Sequence, residues 1–230
     1  DEHYGQARPI IAHGIYLALR CQEAKHTRTK KQYGLSMTLD QPLKWLVTGS
    51  NGNLGCRLVR VLLEGNHQVS ALVRSQRAKD QLLESIGHHS RIESLSVFVC
   101  QQDDIAGIAT AANGCDVAVH LVGILKATQQ SSYVAAHESS CTTLIAGLEA
   151  AGVQHLSYLS ILGSEPDSPN ECLASKGRAE RILNSGQVAV CTLRVPMVVG
   201  EGDYASFMLA RRAANSLNVV FNADSLEQPI

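Results

Sequence analysis

The chain has 230 residues, of which 45% are hydrophobic and 18% are charged, and its formal net charge is −1. This length suits one domain with a substantial buried core, and the composition is that of a globular protein rather than a disordered one. A charge so close to zero gives no electrostatic reason for nucleic-acid binding. No apolar run approaches the roughly 20 residues that cross a bilayer. We therefore expect no nucleic-acid partner for the domain and no membrane-spanning segment.

The seven cysteines are scattered along the chain and form no CxxC pair. This spacing argues against a disulfide framework and against a structural zinc site. We therefore expect a reducing compartment, the cytoplasm, and no metal centre. The cysteines are Cys21, Cys56, Cys100, Cys115, Cys141, Cys172 and Cys191.

Residues 1–36 differ in texture from the rest, with a polar, basic run from Lys25 to Lys31. We interpret 1–36 as a leader or linker outside the fold, and 37–230 as the domain, with Met37 as a plausible start. A nucleic-acid-binding arm is the alternative, but short charge runs usually face solvent.

From Leu43 onward, apolar strand-like runs alternate with segments of helical periodicity. This alternation predicts an α/β fold with a doubly wound parallel sheet covered on both faces. We predict strands at 44–48, 68–73, 96–100, 116–122, 155–162 and 188–195. The predicted helices span 54–64, 79–86, 105–112, 131–151, 172–183 and 204–214.

A glycine loop joins the first predicted strand to the first predicted helix, with GxxGxxG spacing. Gly49 permits a tight turn, Gly52 lets the backbone approach a pyrophosphate, and Gly55 allows close packing of the helix. The helix N-terminus would offer free N–H groups to the phosphates. This position, after a strand and before an amphipathic helix, indicates a dinucleotide site. Its residues are Gly49, Ser50, Asn51, Gly52, Asn53, Leu54 and Gly55.

The second predicted strand ends at Val73, and Arg74 stands where an NAD-binding unit would carry an acidic residue. A guanidinium pairs well with a 2′-phosphate, whereas a carboxylate repels it. The sequence therefore favours NADP(H) over NAD(H) as the cofactor. An exposed arginine without a ligand is the alternative interpretation.

Together these residues resemble the extended or atypical short-chain dehydrogenases/reductases, the NAD-dependent epimerase/dehydratase-like group of Rossmann-type proteins. The resemblance covers about residues 44–205. It implies that Asp103 approaches the adenine, that the backbone of Leu121, Val122 and Gly123 lies along the cofactor, and that Pro196 lies beside the nicotinamide. It also gives Ser160, at the end of the fifth strand, the role of the active-site serine.

One departure from the family pattern concerns catalysis. The family places Tyr and Lys at YxxxK spacing on the helix after the fifth strand, and here Cys172 and Lys176 occupy those positions. The resemblance implies that Lys176 also binds the cofactor, by holding the nicotinamide ribose. A four-residue offset keeps both on one helix face. A thiol is a short, weak hydrogen-bond donor, so Cys172 is a poor replacement for a phenol as general acid. Tyr158 lies on a strand and is no substitute, and His137 on the long helix is a further candidate near the site.

Two functions remain open from the sequence. The first is an NADP(H)-dependent oxidoreductase or epimerase acting on a small carbonyl or sugar-type substrate, with Ser160, Lys176 and a water handling the proton. The second is a catalytically inactive dinucleotide-binding protein with a structural, assembly or redox-sensing role. The family builds its substrate cap after the sixth strand, and we expect that cap to be truncated at Ile230. The long helix at 131–151 pairs subunits in many relatives, which makes a homodimer one expectation.

Overall fold

A computed structural model describes residues 42–101, 103–129, 131–196, 198 and 204–214. The leader predicted at 1–36, the start at Met37 and the truncated cap beyond residue 214 all lie outside the described residues. Six of the seven cysteines lie within them, and these six are free thiols. None of the described helices combines the length and apolar composition that crossing a bilayer requires.

The described chain alternates strands and helices throughout, as predicted. The strands are β1 (Lys44–Thr48), β2 (Gln68–Val73), β3 (Leu95–Val99), β4 (Val117–His120), β5 (His155–Ile161) and β6 (Ala189–Val195). The α-helices are α1 (Asn53–Glu64), α2 (Gln76–Ile86), α3 (Ile105–Ala112), α4 (Ser140–Ala151), α5 (Glu171–Asn184) and α6 (Tyr204–Ala213). A 3-10 turn (Ile92–Ser94) precedes β3, and a π-helical segment (Val134–Ser139) precedes α4.

The six strands form one parallel sheet in the order β3-β2-β1-β4-β5-β6. In the centre, Val47 of β1 is paired with Ala71 of β2 on one side and Val119 of β4 on the other. Small and β-branched apolar residues suit strands that are buried on both faces. The doubly wound α/β fold is confirmed.

Alternate residues of the central strands enter two separate cores. Leu46, Ala118 and Tyr158 point to the face covered by α3, α4 and α5. Val47 and Val119 point to the opposite face, covered by α1 and α2. Successive residues of a strand point to opposite faces, so each strand contributes to both cores.

The start of the long helix differs from the prediction. We predicted one helix from residue 131, whereas Ser131 pairs with Thr128 in an isolated bridge, and a π-helical segment runs to Ser139 before α4 begins. Apolar periodicity does not reveal this π-helical segment, because six residues are too few for its wider spacing to show in the pattern. The second helix was also predicted too short. Its first turn is polar, but Ser75 caps it by accepting the Ala78 N–H.

Candidate functional site

The loops that follow the strands meet at one edge of the sheet, because all the strands are parallel. The strand order reverses between β1 and β4, and ligands of such sheets bind in the crevice at this reversal. The glycine loop follows β1, and the segment Leu121, Val122 and Gly123 follows β4. The two are joined where the Leu121 N–H donates to the Thr48 carbonyl (3.3 Å). The fold thus brings two sequence-predicted segments to one place.

The glycine loop needs two of its glycines for its own geometry. Gly49 has a φ of +69°, and a Cβ there would lie 3.1 Å from the Leu121 carbonyl carbon. A Cβ on Gly55 would overlap the Gly49 carbonyl oxygen and the Ser50 Cα. The third differs, because a Cβ on Gly52 would meet only the Gly49 oxygen, at 3.3 Å. The protein itself therefore leaves room at Gly52.

Helix α1 begins at this loop without a side-chain cap among the described residues. Gly52 is its N-cap, and its first turn contains no acidic residue. By contrast, Ser75, Asp104 and Asn170 cap α2, α3 and α5 with side-chain oxygens. Uncapped N–H groups at a helix N-terminus form a site for anions. The glycine loop and the first turn of α1, which we call the phosphate cradle, therefore fit a phosphate group.

The side chains of the loop serve the fold. Ser50 is fully buried and its hydroxyl donates to the Leu72 carbonyl on β2 (3.0 Å). Asn53 accepts from Arg57 on the next turn of α1 (2.8 Å), and Leu54 packs against the core beneath α1. Asn51 is half-buried. Ser50 therefore has its peptide group, and not its hydroxyl, to offer a ligand.

Arg74 is exposed at the end of β2, and no ion pair among the described residues engages its guanidinium. At the end of β3, Asp104 caps α3 by accepting the Gly107 N–H (2.8 Å), whereas Asp103 beside it is exposed. Arg74 and Asp103 thus both lie exposed beyond the carboxyl ends of the neighbouring strands β2 and β3. The Gln101 side chain donates to the Arg74 carbonyl (3.5 Å), which links the two strand ends.

His120, the last residue of β4, is buried beneath the loops. Its Nδ1 lies 2.6 Å from the Thr48 hydroxyl, and its ring stacks on Tyr158 with centroids 5.8 Å apart. Burial lowers the pKa of His120 to about 3, and the charges of Lys176 and His137 act in the same direction. The imidazole is therefore neutral near pH 7.

Lys176 is the central charged group of the site, and its residue is only 5% exposed. Its Nζ donates to the Leu159 carbonyl (3.0 Å) and lies 4.6 Å from the centre of the Tyr158 ring. A Cβ on Gly123 would lie 3.0 Å from this nitrogen, so the β4 loop passes directly beside it. Burial lowers the pKa of Lys176 to about 8, against the opposing influence of nearby acidic groups. The amine can therefore exchange a proton near neutral pH.

Cys172 lies one helical turn before Lys176, as predicted, and is 2% exposed. Its thiol donates to the Ile124 carbonyl (3.6 Å). Burial raises its pKa, while the charge of Lys176 lowers it, so the thiol stays protonated at neutral pH. The side chain at the tyrosine position is directed to the protein backbone.

Ser160 is buried within the layer formed by β5 and α5. Its hydroxyl donates to a Glu180 carboxylate oxygen (2.5 Å), and its oxygen lies 3.3 Å from the Ser164 hydroxyl, from which it can accept. Arg194 of β6 completes the group, with Nη2 2.7 Å from the other Glu180 oxygen. The hydrogen bonds described for Ser160 therefore join it to Glu180 and Ser164 and not to Lys176 or Cys172. Pro196 is exposed just after β6.

Two features were missed from the sequence. The first is the link from Glu180 to Arg194, whose partners lie 14 residues apart on different elements. The second is the contact of His137, whose Nε2 accepts the Ile124 N–H (3.1 Å). Its position on a predicted helix gave no sign of this partner. The first contact forms where α5 packs on β6, and the second forms where the π-helical segment lies beside the loop after β4.

Residues 49–211 match a family described as NAD(P)H-binding. The chain belongs to this family. The matched range runs from the glycine loop into α6, so it includes both sides of the crevice between β1 and β4. A nicotinamide dinucleotide is therefore the cofactor, in agreement with the cradle at the start of α1.

Two curated relatives are similar over part of their length. Ceramide reductase of Caulobacter vibrioides (strain NA1000 / CB15N) is 26% identical over 172 residues, covering 74% of this chain and 51% of that protein. Fatty acid hydroxylase uhd1 of Mycosarcoma maydis is 29% identical over 120 residues, covering 52% and 38%. The chain spans about half, or less, of the length of these relatives.

Solved structures of NAD(P)H-binding and related proteins share the fold. A protein described as NAD-dependent epimerase/dehydratase from Bacillus halodurans has a TM-score of 0.58 at 20% identity, covering 70% of this chain and 74% of that one. The Bordetella bronchiseptica enzyme WbmG, in complex with NAD and UDP, has a TM-score of 0.61 at 19% identity, covering 75% and 60%. Pen from Bacillus thuringiensis has a TM-score of 0.64 at 16% identity, covering 77% and 58%. At the level of the fold, the resemblance to the epimerase/dehydratase-like Rossmann proteins is confirmed.

Proposed function

We propose that the protein is an NADP(H)-dependent oxidoreductase acting on a small carbonyl compound. The observation that carries the proposal is the position of Lys176. It is a buried amine with a pKa of about 8, beside the β4 loop at the mouth of the dinucleotide crevice. A cationic group that titrates near neutral pH suits proton transfer to a substrate oxygen.

The dinucleotide is assigned to residues at the sheet edge. The N–H groups that open α1 hold the pyrophosphate, Arg74 pairs with the 2′-phosphate, and Asp103 lies toward the adenine. The backbone from Leu121 to Gly123 and Pro196 border the nicotinamide half. When bound, the cofactor supplies or accepts a hydride.

Proton transfer is assigned to Lys176, together with water. Its ammonium group donates a proton to the substrate oxygen during reduction and is reprotonated from solvent. Cys172 is assigned no proton transfer, since its thiol donates to the Ile124 carbonyl. Ser160 is assigned a positioning role through Glu180, which lies one turn beyond Lys176 on α5.

The substrate is proposed to be a carbonyl compound with an apolar portion. Leu125 and Leu162, on the loops after β4 and β5, are 58% and 50% exposed. The names of two relatives, ceramide reductase and fatty acid hydroxylase uhd1, also refer to lipids. A sugar-type substrate, as favoured by the epimerase/dehydratase-like structures, is the second choice. The free thiols of the described residues support the cytoplasm as the compartment.

A dinucleotide-binding protein without turnover is the competing function. The observation that favours it is the thiol at Cys172, which stands where the resembled family carries a phenol, one helical turn before Lys176. Both functions need the dinucleotide, so binding is measured before turnover.

The first experiment is calorimetric titration of the full chain with NADPH and with NADH. We expect tighter binding of NADPH, and Arg74→Asp should weaken it by about 10- to 100-fold, as expected for losing a charge-assisted phosphate contact. Arg181→Asp, at an exposed position on α5, is the matched control and should leave both affinities unchanged. Tighter binding of NADH, or equal loss in both variants, would overturn the role of Arg74.

The second experiment measures NADPH oxidation with alkyl ketones of increasing chain length and with nucleotide-sugar ketones. Turnover that rises with chain length supports the proposed substrate class. NADPH binding without turnover on any of them would favour the non-catalytic function.

A further inference from the structure

The backbone of Ile124, in the loop after β4, is held at its N–H and at its carbonyl by two buried side chains. Its N–H donates to His137 Nε2 (3.1 Å), and its carbonyl accepts from the Cys172 thiol (3.6 Å). His137 is fully buried and Cys172 is 2% exposed. Two elements remote from each other in sequence thus hold the backbone of one residue, through the two peptide groups that flank its Cα.

The π-helical segment contributes a third contact to the same loop. Tyr133, which precedes it, donates its hydroxyl to the Leu125 carbonyl (3.0 Å), and its ring stacks on His137 with centroids 5.7 Å apart. Because Nε2 of His137 accepts a hydrogen bond from the Ile124 N–H, the neutral ring carries its hydrogen on Nδ1. Segments of this kind are frequent at functional sites, where they redirect side chains.

The Ile124 backbone adjoins Gly123, the residue that lies beside Lys176. Gly123 immediately precedes Ile124, and a Cβ there would lie 3.0 Å from Lys176 Nζ and 3.5 Å from His137 Nε2. The position of this backbone therefore determines how much space lies above the lysine. A displaced Ile124 peptide would either cover the amine or open the crevice beside it.

We propose that Cys172 is a positioning residue, which with His137 fixes the Ile124 peptide so that the β4 loop keeps its course along the cofactor beside Lys176. This inference rests on the proposed dinucleotide function. At the place where the resembled family carries a phenol, this chain carries a donor for its own backbone. The thiol acts by donating a hydrogen bond and transfers no proton.

A serine can make this contact and an alanine cannot, so the two substitutions separate the roles. We expect Cys172→Ala to weaken NADPH binding by about 3- to 10-fold, the value of one net hydrogen bond, and Cys172→Ser to stay within about 2-fold. Cys115→Ala is the matched control, because Cys115 is also buried and donates to a backbone carbonyl, that of Ala111, within α3. Its NADPH affinity should equal that of the unchanged protein. Equal affinities for Cys172→Ala and the unchanged protein, or equal losses for Ala and Ser, would overturn the proposal.

His137, which contacts the Ile124 N–H, provides an independent test. His137→Gln keeps an acceptor near the Nε2 position, whereas His137→Leu removes it, and only the leucine should weaken NADPH binding. If both side chains hold the backbone of Ile124, the losses of NADPH affinity in Cys172→Ala and His137→Leu should be non-additive in the double variant. Additive losses would mean that the two act separately.

Amide hydrogen exchange tests the contact without any cofactor. The Ile124 N–H should exchange slowly in the unchanged protein and at least about tenfold faster in His137→Leu and in Cys172→Ala, because each removes a hydrogen bond that opposes local opening. Cys115→Ala should show no change. If the chain bound neither dinucleotide, the proposed function would fail while this measurement still decided the positioning role. Unchanged exchange in both variants would refute that role.

Discussion

Lys176 is a buried charge that is held mainly by backbone and ring contacts. Its partners are the Leu159 carbonyl and the face of the Tyr158 ring, and no carboxylate lies within ion-pair distance among the described residues. Burial without a close counter-ion disfavours the ammonium form, so the residue is retained at a cost to stability. Functional groups are often held in this way at active sites.

Replacing this lysine should therefore stabilise the fold while removing function. A pKa of about 8 instead of 10.5 corresponds to about 3 kcal/mol, at about 1.4 kcal/mol per pKa unit. Losing the hydrogen bond to Leu159 offsets about 1 kcal/mol of this. We expect Lys176→Met to raise the free energy of unfolding at pH 7 by about 1–2 kcal/mol and to abolish turnover, as measured by urea denaturation and NADPH oxidation.

The pH dependence gives a separate signature for the same residue. Between pH 8 and 10.5 the unfolded chain holds a proton on this amine that the folded chain has lost, so stability due to Lys176 rises with pH in this window. Lys176→Met should lack that rise. Lys126→Met, at an exposed position, is the control and should keep it. A less stable Lys176→Met protein would contradict the account of a penalised charge.

At the scale of elements, the junction of β1 with α1 determines the phosphate cradle. Gly55 lets α1 approach the loop, and Gly49 turns the chain beneath Leu121, so both are required by the protein without any ligand. Gly52 has a φ of −72°, which any residue can adopt, and little surrounds it. If Gly52 is needed, the reason is therefore the bound phosphate.

Two alanine substitutions separate these requirements. Gly52→Ala should fold with a loss of at most about 1 kcal/mol but bind NADPH at least about tenfold more weakly, since the methyl group meets the ligand. Gly55→Ala should lose both binding and about 1–3 kcal/mol of stability, because its Cβ overlaps backbone. Thermal unfolding with and without NADPH measures both effects. An unchanged NADPH affinity in Gly52→Ala would show that the cradle is not the phosphate site.

At the scale of the whole molecule, three cationic or protonatable groups from different elements converge below the β4 loop. His120 comes from β4, His137 from the π-helical segment and Lys176 from α5. Burial, followed by the charge of Lys176, lowers the pKa of His120 to about 3 and that of His137 to about 4. The folded protein therefore keeps both rings neutral where the unfolded chain would protonate them.

This arrangement predicts a loss of stability in mild acid. Both histidines have folded pKa values below the usual 6.5, so unfolding takes up protons and stability falls as pH decreases from about 6.5 toward 4. We expect the midpoint of thermal unfolding to fall steadily between pH 6.5 and pH 5. His137→Gln should reduce this dependence by about one proton. A flat profile over this range would mean that the rings are not buried in neutral form.

The class of fold, the six strands, the glycine loop and the helix that carries Lys176 were all predicted from the amino-acid sequence. These features depend on local signals, namely apolar periodicity, glycine spacing and a four-residue offset. Such signals arise between residues that are close together in the chain. The arginine at the end of β2 and the thiol in place of a phenol at Cys172 were also evident in the sequence, although their functional roles stay predictions.

Which side chains contact one another became known only from the tertiary structure. It turned Ser160 toward Glu180 and Arg194, placed the Cys172 thiol and His137 on the Ile124 peptide, and inserted a π-helical segment before α4. Such contacts join elements far apart along the chain, and their geometry follows from side-chain packing between layers rather than from any local pattern.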